Sequence, residues 1–351
     1  MNWNEKMGNR TNLSSASPDA GIYPRILIDR FGRTFNYLRI ALNEMCNLRC
    51  IYCMPEGGIP FKPKNEIMTT EEILRIVTVV SELGVNKIRF TGGEPLLRRD
   101  IVKLIENTSM ISGIDSVHMT TNGVLLNRFA ETLQRSGLSG INISIDTLNP
   151  EKYIQITRRD EVVRALEGLE AAKTVGIPSI KVNAVALRGF NDNEIVEFVE
   201  LTKNYPLTVR FIELMPFDAH QIWKTGKFFS SEHIQKELKD HFPNIKITDG
   251  TATEHSVFQV PDYVGKVAVI PSYSRNLCGN CNRIRITADG KIRNCLYAHN
   301  EFNLRDLMRS GGTEEEMKEL ILSAMWKKLF DGWTAQRSGS NSRKSMTQIG
   351  G

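Results

Sequence analysis

Cys46, Cys50 and Cys53 stand in the pattern CxxxCxxC, the first grouping in the sequence that could do chemistry. Nothing in the chain indicates export, so clustered thiolates point to metal rather than to disulfides. Iron–sulfur clusters take one thiolate per iron, four in the common case. Three thiolates leave one iron with an open position, which an amino-acid moiety can chelate through its amine and carboxylate. Structural zinc is the competing reading, but it wants four protein ligands and no fourth lies nearby.

A second triplet follows far down the chain. Cys278 and Cys281 form a CxxC pair, and Cys295 comes after thirteen intervening residues. Three thiolates again suggest an open coordination site, but CxxC is common in zinc ribbons, where His299 could be the fourth ligand. Spacing alone leaves both open. The segment Asn282-Arg283-Ile284-Arg285-Ile286-Thr287 favours the cluster, because alternate residues of a strand share a face. Two guanidiniums beside an open iron make a pocket for a polyanion with a coordinating base. Between Arg275 and Tyr297 the charges are Arg275, Arg283, Arg285, Lys291 and Arg293 against Asp289 alone. That balance suits an anionic ligand, an exposed basic face being the alternative.

The elements that must position these groups are legible as alternation. Candidate strands are Leu38–Leu42, Lys87–Thr91, Ser116–Thr120, Gly140–Ile145, Ile180–Val185 and Thr208–Leu214, with helical patterns between most of them. The clearest helix is capped by Thr69, with Glu72 three residues on, and ends at Gly84. Others are expected over Asn127–Ser136, Asp160–Val175 and Asn191–Asn204. Strands alternating with helices imply parallel pairing through right-handed crossovers. Six units fall two short of an eight-stranded barrel, so a partial, open (βα)6 barrel is expected. Polar motifs recur where its strands end: Thr91-Gly92-Gly93-Glu94, Thr120-Thr121-Asn122-Gly123, Ser144 with Asp146, and Glu213 to Pro216. Lys181 and Asn183 lie on the fifth strand. Parallel barrels place their chemistry at the carboxyl ends of the strands.

After Pro216 the pattern changes to α+β. A helix is expected over Ser230–His241, short strands within Val257–Ile270 and over Arg283–Thr287, and helices over Leu304–Ser310 and Thr313–Phe330. The expected division is a disordered segment over 1–22, the barrel over 23–225, an auxiliary-cluster domain over 226–335 and a flexible tail over 336–351. The chain has 351 residues, 41% hydrophobic and 24% charged, with a net charge of +5. That excess is too small to imply nucleic acid, and the basic stretch Arg337 to Lys344 reads as solvated. No apolar run approaches the ~18 residues of a membrane span. The polar first residues have no apolar core of a secretory signal.

The segment CNLRCIYCMPEGG resembles the cysteine loop of the radical S-adenosylmethionine (SAM) superfamily, and TGGEP resembles that superfamily's glycine-rich strand end. The resemblance implies a [4Fe–4S] cluster on Cys46, Cys50 and Cys53, and SAM contacts from Tyr52, Gly93, Ser144 and Met215. A narrower likeness runs from about Phe31 to Gly351 and includes YLRI, KIRFTGGEPLLRRD, NISIDTL, VRFIELMPF, CGNCNRIRITADGKIRNCL and the terminal Gly-Gly. It is similar to the GTP 3′,8-cyclase family, which begins molybdenum cofactor biosynthesis. By that likeness a second [4Fe–4S] cluster sits on Cys278, Cys281 and Cys295. Arg39, Lys87, Arg89, Thr120, Lys181, Arg283 and Arg285 would bind GTP, with Arg210 a further basic residue nearby. Arg39, Lys87, Arg89, Lys181 and Arg210 interrupt apolar strands, where a buried cation needs an anionic partner, and a triphosphate is one. By composition Gly350-Gly351 is a frayed end; the likeness instead implies a tail that reaches the active site.

The implied reaction converts GTP to (8S)-3′,8-cyclo-7,8-dihydroguanosine 5′-triphosphate. The implied partners are an external electron donor, a downstream cyclic pyranopterin monophosphate synthase and a second copy of the chain. The implied compartment is the cytoplasm, or the mitochondrion in a eukaryote. The rival readings are a radical enzyme that modifies a peptide and a zinc-stabilised binding module.

Overall fold

The computed structural model describes residues 26–215, 225–250, 256–274, 277–339 and 343–350. The expected disordered segment over 1–22, Arg275 and Gly351 lie outside the described residues. Strands β1 (Tyr37–Ala41), β2 (Lys87–Thr91), β3 (Ser116–Thr121), β4 (Leu138–Ser144), β5 (Ile180–Ala186) and β6 (Thr208–Glu213) fall within two residues of expectation. Six further strands follow: β7 (Lys246–Thr248), β8 (Ser256–Gln259), β9 (Lys266–Ile270), β10 (Arg283–Ile286), β11 (Lys291–Arg293) and β12 (Phe302–Asn303).

Among the described residues twelve strands form one sheet, in the order β12-β11-β10-β1-β2-β3-β4-β5-β6-β9-β8-β7. Pairing is parallel from β10 through β1 to β6 and on to β9. It turns antiparallel at both margins. The expected six parallel strands are therefore extended on each side by one strand from the later part of the chain. The architecture is a radical-SAM-type partial barrel with a C-terminal antiparallel region.

Helices cover one face. They are α1 (Thr70–Glu82), α2 (Ile101–Ser109), α3 (Leu126–Arg135), α4 (Pro150–Thr157), α5 (Val162–Thr174) and α6 (Ile195–Glu200) in the first part. The second part adds α7 (Ser231–His241), α8 (Leu304–Arg309), α9 (Glu314–Trp326) and α10 (Gly332–Arg337). Helix α1 carries the expected capping box: Thr69 accepts from the Glu72 amide while Glu72 accepts from the Thr69 amide. Its exit uses Gly84 at φ 85°, which a side chain would strain. Ile73, Ile76, Val77 and Val80 of α1 join Leu38, Ile40, Ile88 and Phe90 in the continuous core.

The other face is polar. Register places Arg39 beside Arg89 on one side and Arg285 on the other, with His118 next along from Arg89. Tyr37 lies level with Lys87 and Arg283. Across the sheet Thr120, Asn142, Lys181 and Thr208 share one level, and Ser144, Asn183 and Arg210 the next. Because a strand repeats every two residues, all of these side chains leave the sheet on the face away from the helices.

Candidate active site

Two clefts open on this polar face. The first is bounded by all three cysteines of the first triplet, by Gly92 to Glu94, Thr120 to Asn122, Ser144 and Glu213 to Met215, with Met346 and Thr347 of the tail at its edge. It offers about 870 Å³ of space, part of it open to solvent. The second is bounded by Cys278, Cys281, Cys295, Arg283, Arg285 and Lys328. Met215 lines both.

The first cysteine loop is held from two sides. The Arg49 and Ile51 amides donate to the carbonyls of Thr157 and Ile156 at 2.9 Å each. Arg158, in the left-handed region at φ 58°, donates from Nη1 to the carbonyls of Arg49 and Met54 at 3.1 and 3.2 Å. On the opposite side the glycine pair presses in. A Cβ on Gly93 would stand 2.0 Å from the Met45 carbonyl oxygen, and one on Gly92, at φ 136°, 2.5 Å from that of Asn43. The absence of side chains at Gly92 and Gly93 thus admits the backbone of the segment leading into the cysteine loop.

Glu94 completes the frame. It accepts from the Leu96 amide, the Thr121 hydroxyl and the Asn122 amide at 3.0, 2.7 and 2.8 Å. Burial outweighs those bonds and raises its carboxyl to about 7. Asn122 so placed donates to Cys46 Sγ at 3.7 Å, and the Leu48 amide to the same sulfur at 3.4 Å. Burial, and then Glu94, push the Cys46 thiol up to about 11, and burial, then Asp146, push Cys50 well above the ordinary thiol value. Thiols in such surroundings ionise against a bound metal. Among the described residues no three His, Cys, Asp or Glu side chains converge closely enough to hold a single ion. Each triplet instead rings a cleft, which fits one thiolate per iron better than four ligands on one zinc.

The second triplet has a different electrostatic setting. Burial raises Cys281, but Lys328 and Arg283 overcome it and bring the thiol down to about 7. Lys328 is buried and donates to the Asn294 carbonyl. His299, the candidate fourth zinc ligand, points its Nε2 at the Gln336 carbonyl, 2.9 Å away, and does not line the cleft. Glu213 ties the two clefts together. It is fully buried and accepts from the Ser231, Tyr273 and Ser274 amides and the Ser274 hydroxyl at 2.7 to 2.9 Å.

The profile of the Radical SAM superfamily matches residues 40–202, and that of Molybdenum Cofactor Synthesis C matches residues 207–331. The GTP 3′,8-cyclase of Chlorobaculum tepidum is 44% identical over 329 residues, spanning 93% of this chain and 97% of that protein. The chain belongs to the GTP 3′,8-cyclase family. The cyclase of Alkaliphilus oremlandii is 41% identical over 92% of this chain and 99% of its own. Molybdenum cofactor biosynthesis protein 1 of Bos taurus is 44% identical over 88% of this chain, which spans about half of that longer protein. Streptococcus suis SuiB bound to S-adenosylmethionine shares the fold at a TM-score of 0.58, with 16% identity over 80% of this chain and 67% of that one.

In this cyclase-family chain Tyr52, Gly93, Ser144 and Met215 all line the first cleft, together with Thr120. Tyr52 donates its hydroxyl to Asp146 at 2.6 Å. Arg283 and Arg285 line the second cleft, and Arg283 Nε is buried without a hydrogen-bond partner among the described residues. Arg89 reaches the Met119 carbonyl at 3.1 Å and the Thr120 hydroxyl at 3.4 Å. Arg210 donates twice to Asn183 Oδ1, at 2.8 and 2.6 Å. Burial, then Arg39 and Arg283, depress Arg285 well below the usual arginine range, and burial brings Arg39 to about 10.

The tail is not a frayed end over its described part. Ser345 donates to the Cys53 carbonyl at 2.8 Å, Ile349 is fully buried, and Arg285 donates to the Gly350 carbonyl at 2.7 Å. Arg343, read from sequence as part of a solvated basic stretch, is 7% exposed and paired with Asp289 and Glu301 at 3.0 and 2.8 Å. Charge composition cannot distinguish a solvated arginine from one whose partners lie 40 or more residues away. Arg158 and Lys328 carry no signal of their roles in the sequence, and Arg343 is legible there only as part of a basic stretch, whereas Glu213 stands among the expected polar strand ends.

Proposed function

We propose that GTP binds along the polar face between the two triplets, and that this chain cyclises it to (8S)-3′,8-cyclo-7,8-dihydroguanosine 5′-triphosphate. The observation that carries this reading is the set of inward cations on one sheet face: Arg39, Lys87, Arg89, Arg283 and Arg285 on the neighbouring strands β10, β1 and β2, and Lys181 further across on β5. An apolar sheet face would bury such groups at a cost of several kcal/mol each unless an anion joined them. A triphosphate supplies that anion, and Thr120 and Arg210 stand at the same face.

Cys46, Cys50 and Cys53 would hold a [4Fe–4S] cluster, and Tyr52, Gly93, Ser144 and Met215 would hold SAM against it. Bound there, the cluster and SAM supply the radical chemistry that abstracts hydrogen from the ribose. Cys278, Cys281 and Cys295 would hold a second cluster, which would supply a coordination site for the guanine beside Arg283 and Arg285. The chain's own work is placement. The cations fix the phosphates, Glu94 and Asn122 fix the first cysteine loop, and Met215 sits where the two ligands meet. The tail through Gly350 closes the site and shields it from water, with Arg285 positioning the Gly350 carbonyl.

An external electron donor, a downstream cyclic pyranopterin monophosphate synthase and a homodimeric partner complete the proposal. The test is an anaerobic assay of the reconstituted protein with GTP, SAM and dithionite, with iron analysis expecting about eight irons per chain. Formation of 5′-deoxyadenosine without a cyclised guanine product would refute the cyclase reading while sparing the radical one. About four irons would refute the second cluster.

A further inference from the structure

Tyr37 is the first inward residue of β1, and cations surround it. Arg89 Nε donates to its hydroxyl. Lys87 Nζ lies 5.4 Å from its ring centroid and the Arg89 guanidinium 5.9 Å. Arg283 is its register partner on β10, and Arg39 follows two residues later on β1. The ring is only 6% exposed. His118, level with Arg89 on β3, brings no compensating charge: burial, then Arg89, Lys87 and Lys181, hold it neutral.

Four cations gathered round one buried group favour a negative charge on it. The phenol can supply one. Burial favours its neutral form, but Arg89, Arg39 and Arg283 outweigh burial and bring it to about 7. Tyr37 in turn is the group that raises Arg39 against its own burial.

We propose that Tyr37 is the resident counter-ion of the nucleotide site: its phenolate balances the cation row while the site is free, and takes up a proton from solvent when a triphosphate arrives. This rests on the reading that the polar face binds GTP. The phosphates bring negative charge among the same cations, so they repel the phenolate and raise its pKa. The sign follows. Below about pH 7 the phenol is already protonated and binding moves no proton through it. Above that pH each nucleotide bound must bring a proton to Tyr37, so affinity falls as pH rises. The terminal phosphate of GTP ionises in the same range, so the comparison must be with Tyr37→Phe, which keeps the ring and removes only the acid.

The experiment uses the cluster-loaded protein under anaerobic conditions. Calorimetry of GTP binding in buffers of different ionisation enthalpy should show roughly half a proton more taken up by wild type than by Tyr37→Phe at pH 7. Between pH 7 and 8 the wild-type Kd should rise by roughly 5-fold relative to the variant. With nucleotide absent, the wild-type-minus-variant spectrum at matched iron content should show the tyrosinate band growing in around pH 7. Normal GTP binding with equal proton uptake in the two proteins overturns the proposal and leaves the cyclase reading intact. A tyrosinate band near pH 7 without any GTP binding refutes that reading and the substrate role of Tyr37 with it. Absence of the band below pH 9 overturns the counter-ion in either case.

Discussion

Replacing Arg343 with methionine tests whether the tail is a working part of the site. The Arg343 guanidinium meets Asp289 twice at 3.0 and 3.1 Å, Glu301 at 2.8 and 2.9 Å, and Glu44 at 3.8 Å. Removing one partner of a buried ion pair costs about 3–5 kcal/mol, because the other charges stay behind. Here three cations remain: Lys62 at 3.5 Å from Asp289, Lys291 at 3.7 Å and Arg293 at 2.9 Å from Glu301. The carboxylates therefore keep counter-charge, and the cost belongs at the lower end, ~3 kcal/mol, or roughly 150-fold in the docked-to-released ratio of the tail. Hydrogen exchange at Ile349, buried in the docked tail, should accelerate by up to that factor. Turnover should fall at least tenfold, while GTP affinity, which depends on the strand cations, should change less than threefold. Arg343→Lys, which restores charge without the two-pronged geometry, should fall between. Wild-type exchange at Ile349 together with wild-type turnover in Arg343→Met would refute the anchoring role. A large loss of GTP affinity with normal exchange would refute the assignment of phosphate binding to the strand cations alone.

Cys50→Ser should abolish SAM cleavage, whereas Cys281→Ser should mainly impair GTP binding and product formation; 5′-deoxyadenosine and cyclised product measured together separate the two. Gly93→Ala places a carbon 2.0 Å from the Met45 carbonyl oxygen, where backbone cannot yield cheaply, so the thermal midpoint should drop by ~1–3 kcal/mol equivalent and iron content at the first triplet should fall. A variant with full iron and wild-type stability would show that the close packing is not rigid. His118 is held to about 2 by burial and by Arg89, Lys87 and Lys181, below its ordinary value of ~6.5. The stability it contributes is thus present above ~6.5 and lost as pH falls, by up to ~1.4 kcal/mol per pH unit. His118→Gln should flatten the decline between pH ~6.5 and ~5.5, and an unchanged decline would mean that other groups carry it.

What the sequence disclosed depended on how local the signal was. The capping box of α1 and the six strands of the first part were readable because alternation and cap chemistry are written in consecutive residues. Helix α4 was passed over although Asn149-Pro150 is a recognisable start: Asn149 accepts from the Lys152 amide and Pro150 fills the first helical position. The break after it carries no such mark. Thr157-Arg158-Arg159-Asp160 has neither Gly nor Pro, and Arg158 adopts its left-handed conformation where its guanidinium reaches the cysteine-loop carbonyls, more than 100 positions earlier. Strands β9 and β10 were expected as pieces of a separate region, and nothing local announces that they pair with β6 and β1.

The same distinction explains the site. The cysteines stand out by their spacing and the glycine pair by resemblance and its place at a strand end, and polar residues from the strand ends do line the first cleft. The second half of the site follows a different rule. Lys87, Arg89, Arg39 and Arg285 lie within strands, on the face that a closed barrel would pack with apolar side chains. A sheet can carry that many cations inward only if its interior is kept open for an anion or supplied with a counter-charge, and β5 shows the consequence: Lys181, Asn183 and Val185 are half-exposed while their neighbours are buried. Opening the interior needs the sheet margins held apart. The C-terminal strands do this by extending each edge rather than sealing the gap, with Glu213 linking β6 to the segment that leads to the second triplet. Substituting Glu213 with Gln should therefore weaken both clefts at once: four donors converge on that carboxylate, and the neutral amide also turns an NH₂ group toward them. Loss of SAM cleavage and of GTP binding in the same variant is the expected result. Loss of only one would show that the two clefts are built independently.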